Sequence, residues 1–240
     1  MEDNQLTLVE HLSELRKRII IISIAIILGS FVGYKYIDVI IKYMVMPAKE
    51  LEFIYLSPPE LFIAYIKIAI IFGIIISSPI SLIQVWLFIK PGLKKNERRY
   101  LLFSLYMGII FFLIGAIFAY FTIIPITIEF FTNVTVDKIA PLFSFQSYLS
   151  FISSLLLSFG LVFELPLLII LLTQLNIVTA NTLKKYRKIV ILLIFILAAI
   201  LTPPDVVSQV LLALPMTFLY EFSIWISALI GKRKKQNITN

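Results

Sequence analysis

The sequence predicts an all-α membrane protein, with six helical spans in a curved bundle and both termini on the cytoplasmic side. Three observations predict it. Hydrophobic residues make up 60% of the 240 positions, whereas a soluble domain averages about 45–50% apolar residues. Runs of roughly 20 apolar residues, the length that crosses a hydrocarbon core of about 30 Å, recur along the whole chain. The basic residues gather in every second connection between those runs.

The first element is an amphipathic helix. Thr7-Leu8-Val9-Glu10 fits a capping box, and Leu8, Leu12, Leu15 and Ile19 recur at helical intervals. The helix runs into a first span at about 19–36. The segment before it is acidic, where a secretory leader would be basic, and no small-residue cleavage site follows, so this span is expected to stay in the protein. An outer loop, 37–63, follows, with Pro47 as a turn residue. The second span covers about 64–89, the third 100–124 and the fourth 148–175, with a second outer loop at 125–147. Both outer loops carry aromatic and apolar residues, which predicts a cap of short helices over the bundle. The fifth span, 189–201, has 13 residues; at ~1.5 Å per residue it covers only about 20 Å, and local thinning of the bilayer is the expected response. A tight turn, Thr202-Pro203-Pro204-Asp205, joins it to the sixth span, 206–230, which Glu221 enters before its end; this span too is expected to be short. A tail follows at 231–240. Together these make one polytopic domain, 1–240.

Prolines inside spans, at Pro79, Pro166 and Pro215, each remove a donor and crowd the preceding turn, so each predicts a kink. Small residues at Gly29, Gly33, Gly108 and Gly115, and at Ser150, Ser153, Ser154 and Ser158, predict close helix packing. No internal repeat relates the two halves.

Charge sets the orientation. One side carries Arg16, Lys17 and Arg18, then Lys90, Lys94, Lys95, Arg98 and Arg99, then Lys184, Lys185, Arg187 and Lys188, then the run 232–235. The other side carries only Lys35, Lys42, Lys49 and Lys138, with Lys67 at the outer edge of the second span. Basic residues resist translocation, so the first side is cytoplasmic. The net charge of +7 therefore reflects topology, and no nucleic-acid partner is expected, because no basic domain stands behind it.

Several chemistries are excluded. There are no cysteines and one histidine, His11, so thiol chemistry, thiolate metal sites and histidine-centred catalysis lack their residues. There is no nucleotide-binding loop. Neither a cofactor nor a metal is expected, and the chain is not read as an enzyme.

The remaining polar residues need reasons. Glu14 sits one turn before Arg18, and the pairing reads either as an ordinary i,i+4 salt bridge or as a carboxylate held out for a cationic partner. Glu97, in Lys94-Lys95-Asn96-Glu97-Arg98-Arg99, reads either as a first-turn acid favoured by the helix dipole or as a second such carboxylate. Glu164 lies within the fourth span, where a carboxylate costs at least about 2.5–3.5 kcal/mol on insertion scales, so it is a functional candidate by default; Gln84, Gln174 and Gln209 are candidates for its hydrogen-bonding company. Asp205 reads as a cap for the sixth helix and Glu221 as an acid solvated at the interface.

Six ordered stretches make the chain resemble the TatC family over nearly its whole length, from about His11 to Ile224. They are 11–18 (HLSELRKR), 57–62 (SPPELF), Gln84-Val85-Trp86 with Phe88 and Pro91, Glu97-Arg98-Arg99, Phe159-Gly160 with Phe163-Glu164-Leu165-Pro166, and Leu201-Thr202-Pro203-Pro204-Asp205 with Ser208-Gln209. The resemblance implies a concave, glove-like bundle in the cell membrane or an equivalent organellar one. It implies a receptor for signal peptides with paired arginines, working with TatA-like and TatB-like single-span partners, in a receptor complex of several copies, driven by the protonmotive force. By motif it assigns signal-peptide contact to Glu14 and Glu97, with Arg16, Arg18, Arg98 and Arg99 as neighbours. Glu164 matches the family's intramembrane glutamate on the concave side and, with Gln209, marks a polar docking spot. The main rival is a secondary transporter for a small solute or ion, with Glu164 as relay. It predicts a polar pathway through several spans, which the sequence does not contain. An intramembrane enzyme is a weaker rival, since Glu164 has no acidic or histidine companion at its depth.

Overall fold

A computed structural model of the chain describes residues 8–49, 51–55, 57–89, 95–133, 142–201 and 206–239, with side chains described for these except 8, 89, 95–104, 201 and 233–239. Thr7, Pro91, Pro203, Pro204 and Asp205, and the side chains of Glu97, Arg98 and Arg99, lie outside the described residues.

The apolar runs fold as helices because a chain without water around it must satisfy its own backbone groups. The elements in order are α1 (Leu8–Lys35), α2 (Ile37–Val45), a 3-10 turn (Met46–Ala48), β1 (Phe53–Ile54), α3 (Pro58–Ile89), α4 (Lys95–Phe118), a π-helical segment (Ala119–Ile123), α5 (Ile124–Asn133), β2 (Phe143–Ser144), α6 (Phe145–Val162), α7 (Leu165–Gln174), α8 (Ala180–Lys185), α9 (Arg187–Leu201) and α10 (Val206–Thr239). Among the described residues, four stretches are long and apolar enough to cross a membrane: Pro58–Phe88, Leu105–Asn133, Phe145–Gln174 and Val206–Lys232. The pair α1 and α2, bent by 76° about Tyr36, makes a fifth if counted as one span. Helix α9 has 15 residues, beginning two before the expected fifth span. The last helix corrects the expectation of two short final spans. Its apolar stretch has 27 residues, about 40 Å at ~1.5 Å per residue. It runs through Pro215 without a break, and Glu221 does not end it because Arg187 meets the charge.

Helix contacts rest on small residues, as membrane packing requires. A Cβ on Gly73 of α3 would stand 2.3 Å from Ser30 Oγ and 2.6 Å from Ser30 N of α1, and one on Gly29 would stand 2.9 Å from the Gly73 carbonyl oxygen. The two backbones therefore touch where the glycines face each other. Helices α4 and α6 repeat the device at Gly115, where a Cβ would lie 2.4 Å from the Phe159 carbonyl oxygen. Phe112, Phe159, Leu149, Ile152, Leu155 and Leu212 fill the centre. Of the span prolines, Pro79 lies inside a continuous α3, whereas Pro166 stands just past the interruption at Phe163–Glu164 that separates α6 from α7. The end of α7 is closed by Asn176 in the left-handed region at φ 59°. The Ile177 amide donates to the Leu172 carbonyl and the Asn176 amide to Thr173, the two bonds of a Schellman ending.

The connection between α1 and α3 meets the segment that leads into α6. β1 and β2 pair in parallel, Phe53 with Phe143 and Ile54 with Ser144. The Ser144 hydroxyl donates to Glu60 at 2.7 Å, and the same oxygen accepts from the Ser147 amide to cap α6. Tyr148 donates to the Met44 carbonyl and Tyr120, from the π-helical segment, to the Tyr43 carbonyl, both at 2.8 Å. Pro47 sits within the 3-10 turn that ends α2.

Candidate functional site

The arginine at position 18 organises the end of the bundle that carries the basic clusters. Its Nη2 donates to Glu14 Oε1 at 2.9 Å, one helical turn earlier. Its Nη1 donates across to Gln84 Oε1 on α3 at 3.0 Å. One planar fork therefore fixes the Glu14 carboxylate in place and ties α1 to α3, a geometry that a lysine point charge does not reproduce. Both ionic side chains keep about a fifth of their surface, 21% and 20%. The fork is incompletely satisfied, since Arg18 Nε is buried without a hydrogen-bond partner among the described residues. Nearby, His11 stacks on Phe88 at 4.4 Å between ring centroids, which gives the lone histidine a packing role between the same two helices. Val9 and Leu12 are exposed, as are Arg16 and Lys17, so an apolar stripe runs along α1 beside the acid.

The structure thus joins Glu14, Arg18 and Gln84 and leaves Arg16 pointing outward. For Glu97, Arg98 and Arg99 it gives the backbone alone, in the first turns of α4. The sequence reading missed Gln84's place here, grouping it with Glu164; nothing in the spacing of positions 18 and 84 brings them together. Because the bond from Arg18 to Gln84 joins a charged group to an amide, Gln84→Leu is expected to lower stability by about 1.5–3 kcal/mol, seen as a fall in melting temperature of the full chain in detergent.

The intramembrane acid sits where α6 gives way to α7. Glu164 Oε1 is buried with no hydrogen-bond partner among the described residues, and Oε2 lies 3.0 Å from where a Cβ on Gly108 would stand. The carboxyl is pressed against the bare backbone of α4. The expected glutamine company is absent from Oε1: Gln84 is engaged by Arg18, and Gln209 donates to the Phe195 carbonyl at 3.0 Å, because the helix ends that carry them face other neighbours. A buried carboxylate oxygen left unpaired costs about 1–3 kcal/mol or more, a cost that a purely structural position has no reason to carry. Glu221 stays partly exposed, as a solvated acid would, and also pairs with Arg187, clamping α9 to α10, where Tyr220 adds a bond to the Leu183 carbonyl at 2.9 Å. Among the described residues no group of three His, Asp or Glu side chains is placed to hold a metal ion.

Three comparisons bear on this arrangement. The family model for the Sec-independent protein translocase protein (TatC) matches residues 10–215. The chain is 45% identical over 237 residues to a Sec-independent protein translocase protein TatC of Carboxydothermus hydrogenoformans, covering 98% of each, and 42% identical over 230 residues to that of Helicobacter pylori strain 26695, covering 96% of this chain and 90% of the other. Two crystal structures of the twin arginine translocase receptor TatC are similar to it. One, in DDM, has TM-score 0.84 at 37% identity, covering 91% of this chain and 99% of that one; the other has TM-score 0.86 at 36% identity, covering 92% and 100%.

Proposed function

The chain belongs to the TatC family of Sec-independent protein translocase proteins, and from that membership we propose that it is the receptor subunit of a twin-arginine protein translocase. It recognises the paired arginines of a signal peptide at the cytoplasmic face of the cell membrane. It nucleates a complex of several copies with TatA-like and TatB-like single-span partners, and the protonmotive force drives transport. The proposal includes one domain of six spans, with α9 as the short fifth and both termini cytoplasmic. Its work is transport and not catalysis; a solute transporter with Glu164 as relay is not favoured by these relatives.

The observation that carries the reading is the Glu14 carboxylate, already gripping a guanidinium and held by it in place. An incoming arginine replaces Arg18 at Glu14 and sets both its Nη groups on the carboxylate, where Arg18 sets one, and Gln84 keeps a bond to Arg18 while the exchange occurs. Glu97 takes the second arginine of the pair, with Arg98 and Arg99 beside it. The surrounding cations repel a basic leader at a distance beyond about 8–10 Å only weakly in physiological salt. Selection therefore comes from short-range bidentate bonding, which guanidinium offers and ammonium does not. The signal's apolar segment adds affinity along the exposed stripe of Val9 and Leu12.

Site-specific photocrosslinking tests the site. Probes at Leu12 and beside Glu97 are expected to capture a leader with Arg-Arg and to lose most of that yield with Lys-Lys; yields indifferent to the change contradict a receptor at this surface.

Glu164, in this proposal, keeps a polar spot in the bundle where a single-span partner or cargo-linked segment docks. Replacing it by methionine removes a poorly paired acid from an apolar place. Glu164→Met is expected to raise stability by about 1–3 kcal/mol while lowering export in cells. A variant that is more stable and exports at the wild-type rate sinks the docking role.

A further inference from the structure

Where α7 turns into α8 and α10 leaves the membrane, the structure holds a cavity of about 420 Å³, within the roughly 300–1,000 Å³ range of small-molecule sites. It is separate from both places described above. Its deep side is fixed by a hydroxyl chain. Thr173 donates to the Ile169 carbonyl at 2.8 Å, so its single hydrogen is used, and the 2.9 Å contact with Ser227 is therefore a bond that Ser227 donates. Both hydroxyls are buried, and together they bolt α7 to α10. The walls carry Lys184, Lys232, Asn181 and Thr179, and among the described residues no acid lines the cavity. The nearest acid along α10, Glu221, is committed to Arg187. The cavity thus presents two cations and polar groups with no acid among the described residues to balance the charge.

Its depth says what balances it. Helix α7 ends here at Gln174, and here α10 passes from its apolar stretch into the basic run 232–235, the change in composition that marks a helix meeting lipid headgroups. Exposed Ile177 and Leu229 are chain neighbours of its lining residues Asn176, Val178 and Ala228. We propose that this cavity is a binding site for the phosphate-bearing headgroup of an anionic phospholipid, with Lys184 and Lys232 on the phosphate and the acyl chains along the neighbouring apolar helix ends. The proposed orientation decides only which leaflet supplies the lipid; binding in detergent does not depend on it, nor on signal-peptide recognition.

Gly231 lines the cavity, and a Cβ there meets no atom within 4 Å, so a large side chain enters open space and not a neighbour. This gives a blocking variant that leaves the charges in place. Native mass spectrometry of the full chain in neutral detergent, titrated with phosphatidylglycerol or phosphatidylcholine, reads the site. The wild type is expected to retain phosphatidylglycerol over phosphatidylcholine by about tenfold. K184Q with K232Q is expected to weaken that retention by roughly thirtyfold, two surface cations at their usual worth. G231F is expected to abolish it, and K184R with K232R to keep it. Millimolar inorganic phosphate is expected not to displace the lipid; displacement assigns the site to free phosphate and overturns the lipid reading. Equal retention of the two lipids, or wild-type retention by both the glutamine pair and G231F, overturns the site itself.

Discussion

Neutralising both surface acids, Glu14→Gln with Glu97→Gln, is expected to abolish capture of an Arg-Arg leader while leaving the protein folded. Each carboxylate supplies charge-assisted hydrogen bonds worth about 1.5–3 kcal/mol, so losing both costs about 3–6 kcal/mol, or roughly two to four powers of ten in affinity. Glutamine keeps the shape and one acceptor oxygen, so the change removes charge and the bidentate face and little else. The fold should register it weakly. The bond between Glu14 and Arg18 is an i,i+4 pair with part of its surface in solvent, and such pairs contribute about 0.3–0.5 kcal/mol. Binding by fluorescence anisotropy, beside a thermal melt of the same sample, separates the two effects. Single variants are expected to retain intermediate affinity, since each acid serves one arginine.

The second large effect lies in the bundle. Gly73→Leu is expected to be the most damaging apolar substitution in α3, because the first added carbon already collides with backbone. It would stand 2.6 Å from the Ser30 nitrogen and 2.8 Å from the Ile26 carbonyl oxygen, and neither can swing aside as a side chain does. Overpacking typically costs about 1–3 kcal/mol, and a collision with backbone along a helix pair belongs at or beyond the top of that range. The expected result is loss of the folded monodisperse species on size-exclusion chromatography. Gly231→Ala, in open space, is the control and should leave the profile unchanged. A Gly73→Leu protein that melts like the wild type contradicts the close approach of α1 and α3.

These two cases also mark how far the sequence could be read. Apolar length and the small residues at 29, 33 and 115 foretold helices and close packing, because both are local properties of the chain. Glu14 with Arg18 was legible for the same reason, four residues being one turn. What escaped was long-range. Arg18 reaching Gln84 and Arg187 reaching Glu221 depend on which helices become neighbours, and no spacing within a helix encodes that. The bend at Tyr36 follows Gly33, and the π-helical turn at 119–123 precedes Pro125, whose ring crowds the carbonyl of residue 121; the sequence reading took the first for packing and the second for the start of a loop. The last span was misjudged because Glu221 looked like an end; its partner arrives from another helix and lets the helix continue. Glu164 stood out in the sequence as an acid within an apolar run, but the glycine against it, Gly108, was taken for packing alone.

In the proposed function, a carboxylate surface selects guanidinium forks over ammonium charges. Its most direct test is the affinity of the wild-type full chain, in a bilayer of neutral lipid, for two leaders that differ only in Arg-Arg against Lys-Lys. The account predicts that the arginine leader binds at least about tenfold more tightly, with the difference persisting in moderate salt because it rests on short-range bonding. Equal affinities for the two leaders would contradict it.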